Sequence, residues 1–71
     1  MPRVPRLREL RDLNALSQAE LAAKAGVSRA TIINAEAGAD VFHGTVRKIA
    51  TALDVRPSDL MVDEGKTKAA A

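Results

Sequence analysis

Apolar residues recur along this chain in short runs at helical spacing, and glycine or proline separates one run from the next. Pro5 suits the first turn of a helix, and Leu7, Leu10, Arg11 and Asn14 follow three or four residues apart. The first helix is therefore predicted at about 5–13. Ser17-Gln18-Ala19-Glu20 reads as a capping box, with Leu21, Ala22 and Ala25 as the apolar face behind it and Gly26 as the stop. This places a second helix at about 18–25. Ser28 is the next cap, Ile32, Ala35 and Glu36 repeat at helical spacing, and Gly38 ends a third helix at about 29–36. After a loop at 38–44, Thr45 is expected to cap a fourth helix. Its core face is Val46, Ile49, Ala50 and Leu53, with Arg47 and Lys48 on the outer face. Val55-Arg56-Pro57 breaks that helix, and Pro57 opens a short fifth one through about Met61. The pattern predicts an all-α domain of five short helices over residues 1–62, followed by a tail at 63–71 with nothing to bury and so expected to fray.

Composition narrows the chemistry. A chain of 71 residues allows one domain. There is no cysteine, one histidine, one phenylalanine, and no tryptophan or tyrosine. No disulfide, thiolate metal site or cysteine nucleophile can form, and an aromatic platform for stacking bases is excluded. No catalytic residues, metal ligands or cofactor site are expected: there is no Cys/His or Ser/His/Asp set and no Gly-rich phosphate loop. The 11 Lys and Arg against 9 Asp and Glu leave a net charge of +2, which permits nucleic-acid binding without arguing for it. No apolar run approaches the ~18 residues of a membrane span, and the N-terminus lacks the apolar core of a secretory signal. A cytoplasmic protein with no membrane partner is the expectation.

Residues 16–38, LSQAELAAKAGVSRATIINAEAG, are the informative stretch. Gly26, Val27 and Ser28 alone separate the second and third helices, and so short a link forces a sharp corner. The corner needs a small residue where the helices cross, a turn residue tolerant of positive φ, an aliphatic plug after the turn and a β-branched anchor in the second helix. Ala22, Gly26, Val27 and Ile32 supply these at consistent spacing. Arg11 and Glu36 fall on the inward faces of the first and third helices, where unpaired charges would be costly, so they are expected to form a structural ion pair.

Over about residues 6–62 the chain resembles the Xre-type helix-turn-helix domains, the class of the lambda repressor and Cro. The resemblance rests on Leu-Arg-x-Leu-Arg at 7–11, Leu-Ser-Gln-x-x-Leu-Ala at 16–22 and Gly-Val-Ser-x-x-Thr-Ile at 26–32. Glu-x-Gly at 36–38 and Arg-Lys-Ile-Ala-x-Ala-Leu-x-Val at 47–55 complete it. It implies a compact five-helix, lambda-repressor-like fold with the motif at about 18–37. It also implies double-stranded DNA as partner, with the third helix in the major groove, and homodimers that span two half-sites. Similar Arg–Glu pairs link these helices in the family.

Carried onto this sequence, Gln18 stands where family members contact a phosphate or a base edge, and Arg29, Ala30 and Asn34 stand at base-reading positions. The chemistry suits each place. Asn34 can pair bidentately with adenine, Arg29 can reach guanine or a phosphate, and Ala30 and the Thr31 methyl can lie on a thymine methyl. Ser28 and Thr45 are helix caps by one reading and phosphate contacts by the other, with Arg47 and Lys48 as further phosphate contacts. Arg56, Leu60, Met61 and Val62 are candidates for a small two-fold dimer contact, with one of the apolar three needed to fill the core under the fourth helix.

Several residues depart from the family pattern. Three of the four outward positions of the third helix, Ala30, Ile33, Asn34 and Ala37, are apolar, and the following loop carries Asp40, Val41, Phe42 and His43 where relatives often have Lys, Arg or Pro. Asp40 is expected to repel phosphate, Phe42 to be a core or interface plug, and His43 an ordinary loop residue. Arg3, Arg6 and Arg8 suggest either an arm along the DNA backbone or a solvated terminus. The favoured function is a sequence-specific DNA-binding transcriptional regulator, most simply a dimeric repressor. The alternative is a protein-interaction module on the same scaffold, an antitoxin or antiactivator, docking a partner through Ile33 or Phe42.

Overall fold

The computed structural model describes residues 2–61, and Val62 and the tail at 63–71 lie outside them. Five helices follow in order: α1 (Leu7–Leu13), α2 (Gln18–Ala25), α3 (Arg29–Glu36), α4 (His43–Leu53) and α5 (Pro57–Met61). No strand occurs among the described residues. α2 packs against both α3 and α4, α5 closes on α4, and α1 leans on α3. The core is almost wholly aliphatic. Leu7, Leu21, Ile32, Ile49 and Leu60 are fully buried at its centre, and Val4, Val41, Val46 and Leu53 surround them. No polar or charged residue is fully buried among the described residues.

Local chemistry explains the helix ends. The capping box of α2 is present: Glu20 N–H donates to Ser17 Oγ at 3.0 Å, and Ser17 N–H donates to Glu20 Oε1 at 2.9 Å. At its other end Gly26 is left-handed at φ 73°, and Val27 N–H returns to the Ala22 carbonyl at 3.0 Å. A Cβ at Gly26 would meet nothing within 4 Å, so the backbone angle alone demands glycine there. α4 closes in the same way on a residue the sequence does not flag. Asp54 is left-handed at φ 57°, and Val55 N–H returns to the Ala50 carbonyl at 3.0 Å.

Several expectations are corrected. α1 begins at Leu7, and Pro5 lies in the turn before it. α4 begins at His43, so Thr45 lies inside its first turn and does not cap it; Phe42 takes the capping position in an extended conformation and makes no side-chain cap. The cause is Val41, which is buried while its N–H donates to the Pro2 carbonyl at 2.8 Å. That anchor turns the chain into α4 three residues early, and makes His43 helical rather than a loop residue. Phe42 is 69% exposed, so Val41 and not Phe42 plugs the core. The segment before α1 is anchored through its backbone and Val4, while the side chains of Arg3 and Arg8 stay exposed. Val4 is buried, Arg6 N–H donates to the Leu60 carbonyl at 3.3 Å, and Arg3 meets Asp40 at 3.4 Å.

Leu60 is the residue that fills the space under α4 and is fully buried, so it offers no surface to a second protomer. Of the other dimer candidates, Arg56 and Met61 are exposed and Val62 lies outside the described residues.

Candidate nucleic-acid interface

α3 has two unlike faces. Ile32 and Ala35 are buried against the core, while Arg29, Ala30, Ile33 and Asn34 are exposed. Within the described residues the side chains of Arg29 and Asn34 make no hydrogen bond or ion pair. They are polar groups with unused donors and acceptors on a rigid helix. At the start of α3 the Ser28 hydroxyl accepts from Thr31 N–H at 3.1 Å, and the two hydroxyls are 2.8 Å apart. Ser28 is thus a helix cap in the free protein, and Thr31 is drawn toward it while keeping its methyl.

The phosphate candidates separate into two places. Thr45 lies with Thr31, Asn34, Asp40 and Phe42 along an open cleft between the end of α3 and the start of α4. Arg47 and Lys48 line a different concavity, with Gly44, Thr51 and Lys24 of α2. Nothing in the sequence marks Lys24, because only the packing of α2 on α4 brings it beside Arg47 and Lys48. Asp40 does not stand alone as an uncompensated negative charge, since Arg3 approaches it; both side chains are well exposed, so the pair adds little stability.

Behind α3 lies a connected polar group. Arg11 Nε donates to Glu36 Oε2 at 2.5 Å and its Nη2 to Glu36 Oε1 at 3.2 Å. Arg11 Nη1 donates to the Leu16 carbonyl at 2.7 Å, and Leu16 N–H donates to the Arg11 carbonyl at 3.2 Å. These bonds hold the turn in which Ala15 is left-handed at φ 55°, a conformation that costs an L-residue about 1–2 kcal/mol. The side chains of Arg11 and Glu36 are 13% and 8% exposed, so the pair is largely desolvated, as expected of a structural bridge. Burial alone would raise the Glu36 carboxyl, but the hydrogen bonds from Arg11 and Gln18 outweigh it and hold it below its ordinary value. The hydrogen bond to Glu36 likewise raises Arg11. Gln18 completes the group, its Nε2 donating to Glu36 Oε1 at 3.1 Å. The family resemblance implies a DNA contact for Gln18, and no sequence spacing links it to Glu36, because the contact crosses from α2 to α3.

No group of three His, Cys, Asp or Glu that could hold a metal ion occurs among the described residues, and none of their helices is long and apolar enough to cross a membrane.

The model of a helix-turn-helix family matches residues 7–60. Among solved structures, the restriction-modification controller protein C.AhdI from Aeromonas hydrophila is 43% identical over 78% of this chain and 85% of its own, with a TM-score of 0.74. A hypothetical transcription factor NHTF from Neisseria is 25% identical over 92% of this chain and 75% of its own, with a TM-score of 0.76. No curated protein matches the chain. The capped helix pair, the glycine corner and the core that supports them agree with these matches: the chain belongs to the helix-turn-helix family, in its Xre-type, lambda-repressor-like branch of DNA-binding transcription regulators.

Proposed function

We propose that this protein is a sequence-specific regulator of transcription that binds double-stranded DNA as a dimer, inserts α3 in the major groove and acts as a repressor. The observation that carries this reading is the outward face of α3, where Arg29 and Asn34 stand exposed with unspent hydrogen-bonding capacity on a helix anchored by Ile32 and Ala35. Gln18, Arg29, Ala30, Thr31 and Asn34 are the proposed base-contacting set. Ser28, Thr45, Arg47 and Lys48 are the proposed phosphate contacts, with Lys24 added by its place beside the last two. The likeness to a restriction-modification controller supports a regulatory role, and a cytoplasmic location belongs to the same proposal.

Selection of bound duplexes from a random pool supplies the test DNA. Asn34→Ala is expected to weaken binding to the selected duplex by about 1–3 kcal/mol and to relax preference at one base pair, because removing a base-edge bond removes sequence information. An unchanged ratio of specific to random affinity in a competition assay would remove Asn34 from the reading set.

Arg47→Ala, Lys48→Ala and Lys24→Ala are expected to act differently. Each should weaken all duplexes alike and reduce the slope of log affinity against log salt by about 0.9 for each phosphate no longer neutralised. A change in base preference with no change in slope would contradict the assignment.

The dimer is expected to be weak in solution, since Met61 is the large exposed apolar residue left near α5 once Leu60 is buried. On a palindromic duplex two protomers should bind, their α3 helices about 34 Å apart. Sedimentation of protein with and without duplex reads this, and saturation by one tightly bound protomer would refute it.

A second reading is favoured by one observation. Ile33 and Phe42 are 41% and 69% exposed, more apolar surface than base reading requires. On this reading α3 and the start of α4 dock a protein, as an antitoxin or antiactivator would. Asn34→Ala then leaves function intact, whereas Ile33→Asp abolishes partner capture.

A further inference from the structure

We infer that Glu36 is a positioning residue for DNA recognition: it holds the Gln18 amide in one orientation, carbonyl oxygen outward, so that Gln18 accepts a hydrogen bond from the exocyclic amine of adenine or cytosine. The inference rests on the proposed placement of Gln18 and α3 at DNA and specifies what Gln18 reads there.

The geometry is simple. Gln18 Nε2 donates to Glu36 Oε1 at 3.1 Å. Turning the amide over would set the Gln18 oxygen against the carboxylate oxygen, two acceptors facing with no proton between them. Glu36 cannot rotate away, because Arg11 grips both of its oxygens, at 2.5 Å and 3.2 Å. Its carboxylate is therefore a fixed, charged acceptor, the kind that forms the stronger class of hydrogen bond. Gln18 Oε1 has no hydrogen-bond partner among the described residues. No buried side-chain oxygen or nitrogen lacks a partner among the described residues, so this oxygen of a half-buried side chain is open to solvent.

An outward acceptor discriminates. It meets a phosphate oxygen with repulsion and a major-groove amine with attraction, and adenine N6 and cytosine N4 are the amines displayed there. A glutamine with a free amide could turn to suit either a donor or an acceptor, and so would tolerate guanine O6 or thymine O4 at the same position. Glu36 removes that freedom from a distance, without touching DNA itself.

The experiment uses the full chain and the duplex selected by the wild-type protein. Adenines and cytosines of the selected site are replaced one at a time by analogues that lack the exocyclic amine. Apart from any adenine read by Asn34, one replacement should weaken wild-type binding by about tenfold, the worth of one hydrogen bond. The same replacement should cost Gln18→Ala nothing further. Glu36→Gln removes the fixed acceptor, so selection with this variant should accept keto bases at that one position. In the Gln18→Ala background Glu36→Gln should leave preference unchanged, which a merely structural role for Glu36 would not produce. Should Glu36→Gln fail to fold, Arg11→Met with Glu36→Met removes the carboxylate and leaves no unpaired charge. Insensitivity of the wild type to every amine deletion, or an unaltered base preference in both Glu36 variants, would overturn the inference while leaving DNA binding itself intact. Absence of any selected duplex would instead defeat the broader reading from which it starts.

Discussion

Replacing Glu36 with alanine is expected to lower the free energy of unfolding by about 3 kcal/mol. The alanine leaves the Arg11 guanidinium, 13% exposed, without the carboxylate that holds it. It also removes the acceptor of Gln18 and releases the bridge that joins α1 to α3. Burying a charge without a partner is the costly half of this change, so converting both Arg11 and Glu36 to well-packed apolar residues should cost less than Glu36→Ala alone. The effect should depend on pH. The Glu36 carboxyl is held below its ordinary value in the folded protein, so its contribution is complete above the unfolded glutamate value, about pH 4.3. It disappears as pH falls through the lower folded value, and the gap between wild type and Glu36→Ala should narrow over that acidic interval. Urea unfolding at neutral pH and at a series of acidic values reads both effects. Equal midpoints at neutral pH would mean that the pair is solvated and does not bind the helices together.

Leu60→Ala is expected to cost about 2–5 kcal/mol, independent of protein concentration. Leu60 is fully buried beneath α4, and its carbonyl receives Arg6 N–H, so it secures both α5 and the N-terminal segment. Truncating the side chain to a methyl leaves a cavity that the short α5 can only partly close. A domain of this size holds roughly 0.05–0.15 kcal/mol per residue in total, so the loss is a large part of its stability. Met61→Ala, at a half-exposed neighbour, should change stability far less and act on self-association instead. Urea unfolding of both variants at two protein concentrations separates these roles. A Leu60→Ala effect that vanished at high concentration would return this residue to an interface.

The corner of α2 and α3 is legible from residues alone because its determinants are local. A serine oxygen reaches an N–H three residues on, a glycine supplies a backbone angle, and a period near 3.6 sorts core from surface. Those rules place α2, α3 and α5 at their observed bounds and pair Arg11 with Glu36 by helical phase. They misjudge the start of α4, where Gly44 resembles a break and Thr45 a cap. The deciding hydrogen bond there joins Val41 to Pro2, far apart along the chain, and no local pattern reports it. The same holds for the choice of Leu60 over its apolar neighbours and for Arg3, which folds back onto Asp40. Gln18 on Glu36, and Lys24 beside Arg47 and Lys48, belong with them. Most of these join elements whose relative placement depends on how the whole core packs, and a sequence records the faces of its helices but not which faces meet.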